Sequence, residues 1–201
     1  STTVLSCTNS GNNTNFTFSA GTSYKTWDGG GGLDTNWSTP ANWSGDSVPG
    51  NSDTVVFNST SNNNCTIDTA VTVTNLYIAG YTGEISQGGN SITISSNYSQ
   101  ASGTFTGGSA SISITGAFTL SGGTFTSTTG TLTVSGAWTH TAGGTFTHNS
   151  GTVAFTGAAA TVDVNVTETF NNLTLNKNAG VGQTITAGDT LTVNGTLSLT
   201  E

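Results

Sequence analysis

The chain has 201 residues, of which 2 are Lys or Arg and 10 are Asp or Glu, a formal net charge of −8, and Thr, Ser, Asn and Gly together supply 117 positions. Two cations cannot neutralise a run of phosphates, so nucleic-acid binding is excluded, and a polybasic grip on anionic lipid fails for the same reason. The composition is wrong for a coiled coil or helical bundle, and no apolar run reaches the length of about 18 residues that a membrane-crossing helix needs. Hydrophobic content is only 32%, which leans towards disorder, but the apolar residues are mostly β-branched or aromatic and alternate strictly with polar ones. That pattern predicts a folded all-β protein with a thin core.

The chain begins at Ser1 and contains no Met, which predicts a secretory signal removed ahead of this numbering and an extracellular or cell-surface location. Cys7 and Cys65 are the two cysteines. They predict one disulfide in an oxidising compartment, closing a long loop; two buried thiols are the alternative. Residues Asn15, Phe16, Thr17 and Phe18 alternate like a strand but precede any repeat. They are candidates for donation to another subunit.

Residues 1–53 form an N-terminal extension and cap, holding both prolines and three of the four Trp. Within it run Trp27-Asp-Gly29, Trp37, Asn42-Trp43, Pro49-Gly50 and then Asp53-Thr-Val55-Val-Phe57. This series resembles the start of β-helical passenger regions in autotransporter-like and haemagglutinin-like bacterial surface proteins. The four consecutive glycines 29–32 are a local departure. The resemblance implies a secreted or surface-displayed solenoid, usually adhesive or structural, with Asp53–Phe57 as its first rung. Physically, a solenoid needs its first turn covered, and Trp27, Trp37 and Trp43 are large enough to cover it. Stacking on sugars is the other use of such rings. Asp28, Asp34, Asp46 and Asp53 lie in the same region; calcium is the cation that oxygen-rich loops suit, but no EF-hand or nonapeptide spacing occurs, and Asx turns are the default. No other metal or cofactor is expected.

Residues 54–201 repeat. Gly103-Thr-Phe-Thr returns at Gly123 and Gly144, and Ser91-Ile-Thr-Ile returns at Ser111, Thr131 and Thr152, after Val71-Thr-Val-Thr. Gly116-Ala-Phe-Thr-Leu, Gly136-Ala-Trp-Thr-His and Gly157-Ala-Ala-Ala read as a third strand of each unit. Asn75-Leu-Tyr-Ile followed by Ser91 resembles Asn172-Leu-Thr-Leu followed by Thr190. A unit of about 20 residues is too short for a propeller blade of about 40–45 residues. It fits one triangular turn of a parallel β-solenoid, and six or seven turns fit the span. Phe105, Phe125 and Phe146 then form an inward ladder. Ile112 and Ile114 lie under Leu132 and Val134, which lie under Val153 and Phe155. Phe118 and Trp138 form a third ladder that narrows at Ala158. An antiparallel β-sandwich is the competing fold.

The chemistry-bearing side chains are few. His140 and His148 read as surface residues, with no nucleophile elbow near them. Asp163, Glu168 and Asp189 are spread over later turns without the lining of a sugar cleft, so an enzyme is not expected. Sequons at Asn12, Asn15, Asn36, Asn42, Asn58, Asn64, Asn97, Asn165, Asn172 and Asn194 permit glycosylation. The pairs Thr104/Thr106, Thr124/Thr126 and Thr145/Thr147 would stack into a hydroxyl grid resembling the ice-binding face of β-solenoid antifreeze proteins. At the far end, Leu191, Val193, Leu197 and Leu199 carry the core pattern to the last residues. The expected function is an extracellular structural protein, the subunit of a surface filament or the stalk of an adhesin. Its partners are other copies of itself, joined head to tail through open solenoid ends and strand donation, with surface glycans as a further partner. A glycan-binding or ice-binding module is the alternative.

Overall fold

The computed structural model describes residues 23–158, 160–176 and 182–200. It is a parallel β-solenoid. One strand, β1 (Ser23–Thr26), precedes seven turns. Turn one holds β2 (Asp53–Phe57), β3 (Cys65–Thr66) and β4 (Val71–Val73); turn two holds β5 (Asn75–Ile78), β6 (Glu84–Ser86) and β7 (Ile92–Ile94). In turns three and four two strands fuse, giving β8 (Tyr98–Thr106) with β9 (Ile112–Ile114), and β10 (Phe118–Thr126) with β11 (Thr131–Val134). Turn five holds β12 (Trp138–His140), β13 (Gly144–Thr147) and β14 (Thr152–Phe155). Turn six holds β15 (Thr161–Asp163), β16 (Thr167–Phe170) and β17 (Asn172–Asn176). Turn seven holds β18 (Thr184–Ile185), β19 (Thr190–Val193) and β20 (Leu197–Thr200).

The strands stack into three faces. The first face runs β1-β2-β5-β8-β10-β12-β15-β18, the third runs β4-β7-β9-β11-β14-β17-β20, and the second joins β3, β6, β8, β10 and β13, with β16 and β19 paired separately. Every strand ladder among the described residues is parallel; the antiparallel contact is an isolated bridge, Trp27 to Trp43. The antiparallel sandwich is therefore excluded.

Alternation explains the register. Each strand turns every second side chain inward, so equal positions in successive turns must agree. On the third face one column runs Val71, Ile92, Ile112, Leu132, Val153, Leu173, Leu197, and its neighbour Val73, Ile94, Ile114, Val134, Phe155, Leu175, Leu199. On the second face the column is Cys65, Ile85, Phe105, Phe125, Phe146. Phe105 and Phe125 stack at 4.8 Å with planes 8° apart, and Phe125 and Phe146 at 6.1 Å and 10°. On the first face Tyr98, Phe118 and Trp138 stack in register at 5.2 and 4.1 Å. Such stacked pairs contribute about 0.5–1.5 kcal/mol beyond the area they bury.

The corners are held by polar side chains. Asn75 and Asn97 form a short ladder: Asn75 Oδ1 accepts from the Asn97 amide and Asn97 Oδ1 from the Ala117 amide. Buried Gln87 accepts from the Gly108 amide and donates to the Asn90 and Ala110 carbonyls. These bonds satisfy backbone groups that the bends remove from the ladders. Where β8 and β10 bend between faces, Gly103 and Gly123 take φ of +67° and +73°. A Cβ on Gly123 would lie 2.3 Å from the Gly103 carbonyl oxygen, so sterics and backbone conformation both require glycine.

Two sequence expectations are corrected here. The first-face column does not narrow at Ala158. Ala158 is exposed in the loop between β14 and β15, and Val162 takes the place beside Trp138. The likeness of Asn75-Leu-Tyr-Ile to Asn172-Leu-Thr-Leu is not a repeat in register, because β5 belongs to the first face and β17 to the third. What the two share is a corner role. Asn172 Oδ1 accepts from the Thr196 amide as Asn75 Oδ1 accepts from that of Asn97.

Phe125 is buried between two rings, whereas Phe146 is only half-buried. Phe125→Ala will lower stability by about 3–5 kcal/mol and Phe146→Ala by clearly less, read from denaturant midpoints. Equal losses would contradict the order of the column.

Candidate functional site: the two ends of the solenoid

The N-terminal end is closed. Trp27, Trp37 and Trp43 are buried and converge on Phe57 of the first turn, with ring centroids 5.7, 6.2 and 5.8 Å from it. Trp27 Nε1 donates to the Asn63 carbonyl at 2.9 Å and Trp43 Nε1 to the Trp37 carbonyl at 2.7 Å. These rings cap the core, and their faces are covered, so they offer no platform for a sugar. A single 3-10 turn, Pro40–Asn42, places Asn42 beneath the glycine run. The buried Asn42 side chain accepts from the Gly31 amide and donates to the Asp34 and Asn36 carbonyls.

The cap acids hold turns. Asp28 accepts from the Gly30 amide, Asp53 from the Gly50 amide, and Asp34 from the Asn36 amide and the Thr39 hydroxyl. Those bonds hold the Asp34 carboxyl below its ordinary range, the Thr39 hydroxyl contributing most. Asp46 lies at φ +48°. No group of three or more metal-ligating side chains occurs among the described residues.

The C-terminal end is different. Among the described residues β18, β19 and β20 are each paired on one side only. Leu197 and Leu199 end the two third-face columns and are 53% and 72% exposed, while Leu191 and Val193 are half-buried against the core. Ile185, which the sequence reading missed, joins them as an exposed apolar side chain. Asp189 is the sole charged residue between 182 and 200. At the opposite end of the first face, β1 pairs only with β2 among the described residues. The outer side of β1 is engaged at Thr26, whose carbonyl accepts from the Ser44 amide at 2.9 Å and whose amide donates to Ser44 Oγ at 3.0 Å.

Other expected site residues are placed as follows. Asn15, Phe16, Thr17 and Phe18, Cys7, and the sequons at Asn12 and Asn15 lie outside the described residues. The expected disulfide is not seen: no bridge occurs among the described residues, and Cys65 carries a free buried thiol. Its side chain fills the inward position in register with Ile85, an apolar site in the second-face column. Burial, and secondarily Asp68, push the thiol well above its ordinary range. The sequons at Asn64, Asn165 and Asn194 are exposed, those at Asn36, Asn58, Asn97 and Asn172 half-buried. The pairs Thr104/Thr106, Thr124/Thr126 and Thr145/Thr147 stand in register on the second face.

His140 is not a surface residue. It sits in register with inward-facing Leu120, buried, and its Nδ1 lies 2.6 Å from Oε2 of buried Glu168 on β16. The alternation Trp138-Thr-His140 already placed it inward; the Thr-rich flanks concealed that signal. His148 is half-buried, and its Nδ1 accepts from the Ser150 amide. No pocket occurs among the described residues. The chain matches no protein-family model, no curated protein and no solved structure.

Folded, unreduced protein will resist a thiol reagent at Cys65 and react there on unfolding without reductant; a thiol that appears only after reduction would instead reveal a bridge. Asn42 will remain unmodified in a glycosylating host. Asn42→Ala will cost about 1–3 kcal/mol by stranding its backbone partners, seen as a lowered denaturation midpoint; modification of Asn42 on folded protein would contradict its burial.

Proposed function

We propose that this protein is an extracellular structural rod, the subunit of a surface filament or the stalk of an adhesin, that stacks head to tail on a second copy of itself. The observation that carries the reading is the seventh turn, where among the described residues the last members of two apolar columns, Leu197 and Leu199, are exposed. Among the described residues β18, β19 and β20 have no strand partner on their outer side, and such an edge recruits a further parallel strand layer. A second copy suits that end because its strands are parallel and carry the same alternation of apolar and polar side chains. A contact of this kind is heterologous and does not close, so it generates a filament. The Trp-x-Gly to Asp-x-Val-x-Phe series, with its resemblance to passenger regions of bacterial surface proteins, supports secretion and display.

The in-register Thr rows favour a second reading, a module that binds ice or a glycan surface through hydroxyl groups. Freezing-point hysteresis and oligosaccharide titration test it directly.

Leu197→Lys with Leu199→Lys should leave monomers with unchanged circular dichroism, while the parent chain forms rods visible by negative-stain electron microscopy and sediments faster as concentration rises. A parent chain that stays monomeric at high concentration would overturn the proposal.

A further inference from the structure

The stack is interrupted once. Between turns five and six the first face continues through β12 and β15, and the third through β14 and β17. On the second face β13 pairs with β10 and β16 pairs with β19, but β13 and β16 do not pair. Turns six and seven are therefore joined to the rest by two ladders where the earlier turns have three.

Two further features coincide with this seam. The link into β16 is strained: Val166 lies at φ +67° and is 69% exposed, with the Val166 amide donating to the Val164 carbonyl and the Thr167 amide to the Asn165 carbonyl. A β-branched residue in the left-handed region is an outlier that its surroundings must impose. Next in the chain is Glu168, whose carboxylate crosses the gap to His140 Nδ1 at 2.6 Å. Phe170 follows and meets Phe146 at 5.7 Å. His140 Nε2 packs against Gly144 and completes no hydrogen bond. The carboxylate is thus the imidazole's side-chain anchor, and it belongs to the other side of the seam.

We propose that His140 and Glu168 form a latch that holds turns six and seven closed while the imidazole is protonated and loosens them as it becomes neutral.

Among the described residues Glu168 is the charged group that faces the imidazole. The β10 neighbour is Leu120 and the β13 neighbour is Gly144. Asp163 on β15 is exposed, and Asp189 accepts from the Val164 amide at 2.8 Å. His148 is engaged with the Ser150 amide. The hydrogen bond that the His140 imidazole donates to the Glu168 carboxylate raises its proton affinity, against the opposing effect of burial and with smaller help from the Gly144 backbone and the Glu168 charge. A raised folded value means that the latch contributes fully below the unfolded histidine value of about 6.5 and fades as pH rises through the folded value. A buried ion pair of this kind stabilises little in absolute terms, but losing one charge leaves the other without compensation. The latch stands on the seam alone. Its control of polymerisation rests on the end-on reading, since turn seven carries Leu197 and Leu199.

Native-state hydrogen exchange on parent protein, kept dilute enough to sediment as monomers, reads the latch without assembly. Protection factors, corrected for chemical exchange, should fall roughly tenfold over β16–β20 between about pH 6 and about pH 9, while those over β5–β9 stay level. His148→Gln should keep that dependence, and His140→Gln and Glu168→Gln should each flatten it. Protection over β16–β20 that does not change with pH, or that changes equally over β5–β9, would overturn the latch even if either buried-site variant fails to fold. Separately, rods should shorten or dissolve over the same pH range. Rods that ignore a measured loosening would remove the link to assembly and leave the latch standing.

Discussion

Everything in this fold depends on one constraint: a parallel strand in a solenoid is completed only by the turn above and the turn below. Backbone hydrogen bonds run along the axis, so no strand has a partner near it in sequence. The side chains must then agree at intervals of one turn, because an inward position that changes size leaves a void or a clash in the column. The Phe105–Phe125 stack and the Val71-to-Leu197 column are direct results. So is the use of Gln87, Asn75 and Asn97 at corners, where the ladder breaks and a side-chain amide stands in for the missing strand.

The same constraint explains the two ends. A column needs a last member at each end, and that member has one apolar surface with no successor. At the N-terminal end three indoles cover Phe57. In turn seven the last described members, Leu197 and Leu199, are exposed. That difference between the two described ends is what the functional proposal builds on.

Much of this was legible in the sequence because the period itself carries the information. Gly-Thr-Phe-Thr recurring at Gly103, Gly123 and Gly144 fixes the second face, and the Ile-x-Ile segments fix the third. The Trp cap was legible from ring size and position. Phase was lost where the turns change length. The loop after Phe155 shifts β15 to Thr161, so Ala158 lies in a connection and not in a strand. Cys65 and His140 were misjudged for a shared reason: each was weighed by its chemistry before its column. Read by column, Cys65 is the counterpart of Ile85 and His140 of Leu120. Glu168 carried the same signal, since it alternates with Phe170 and stands in register with Leu191.

The broken second-face ladder also has a mechanical meaning. In a solenoid the turns are linked in series, so tension along the axis is transmitted undiminished through every level. Each level resists with the hydrogen bonds of its own ladders. Most levels oppose the load on three sides, but the junction between β13 and β16 opposes it on two. A rod built from such units would yield at one defined place in each, and between those places it would transmit force as a stiff body.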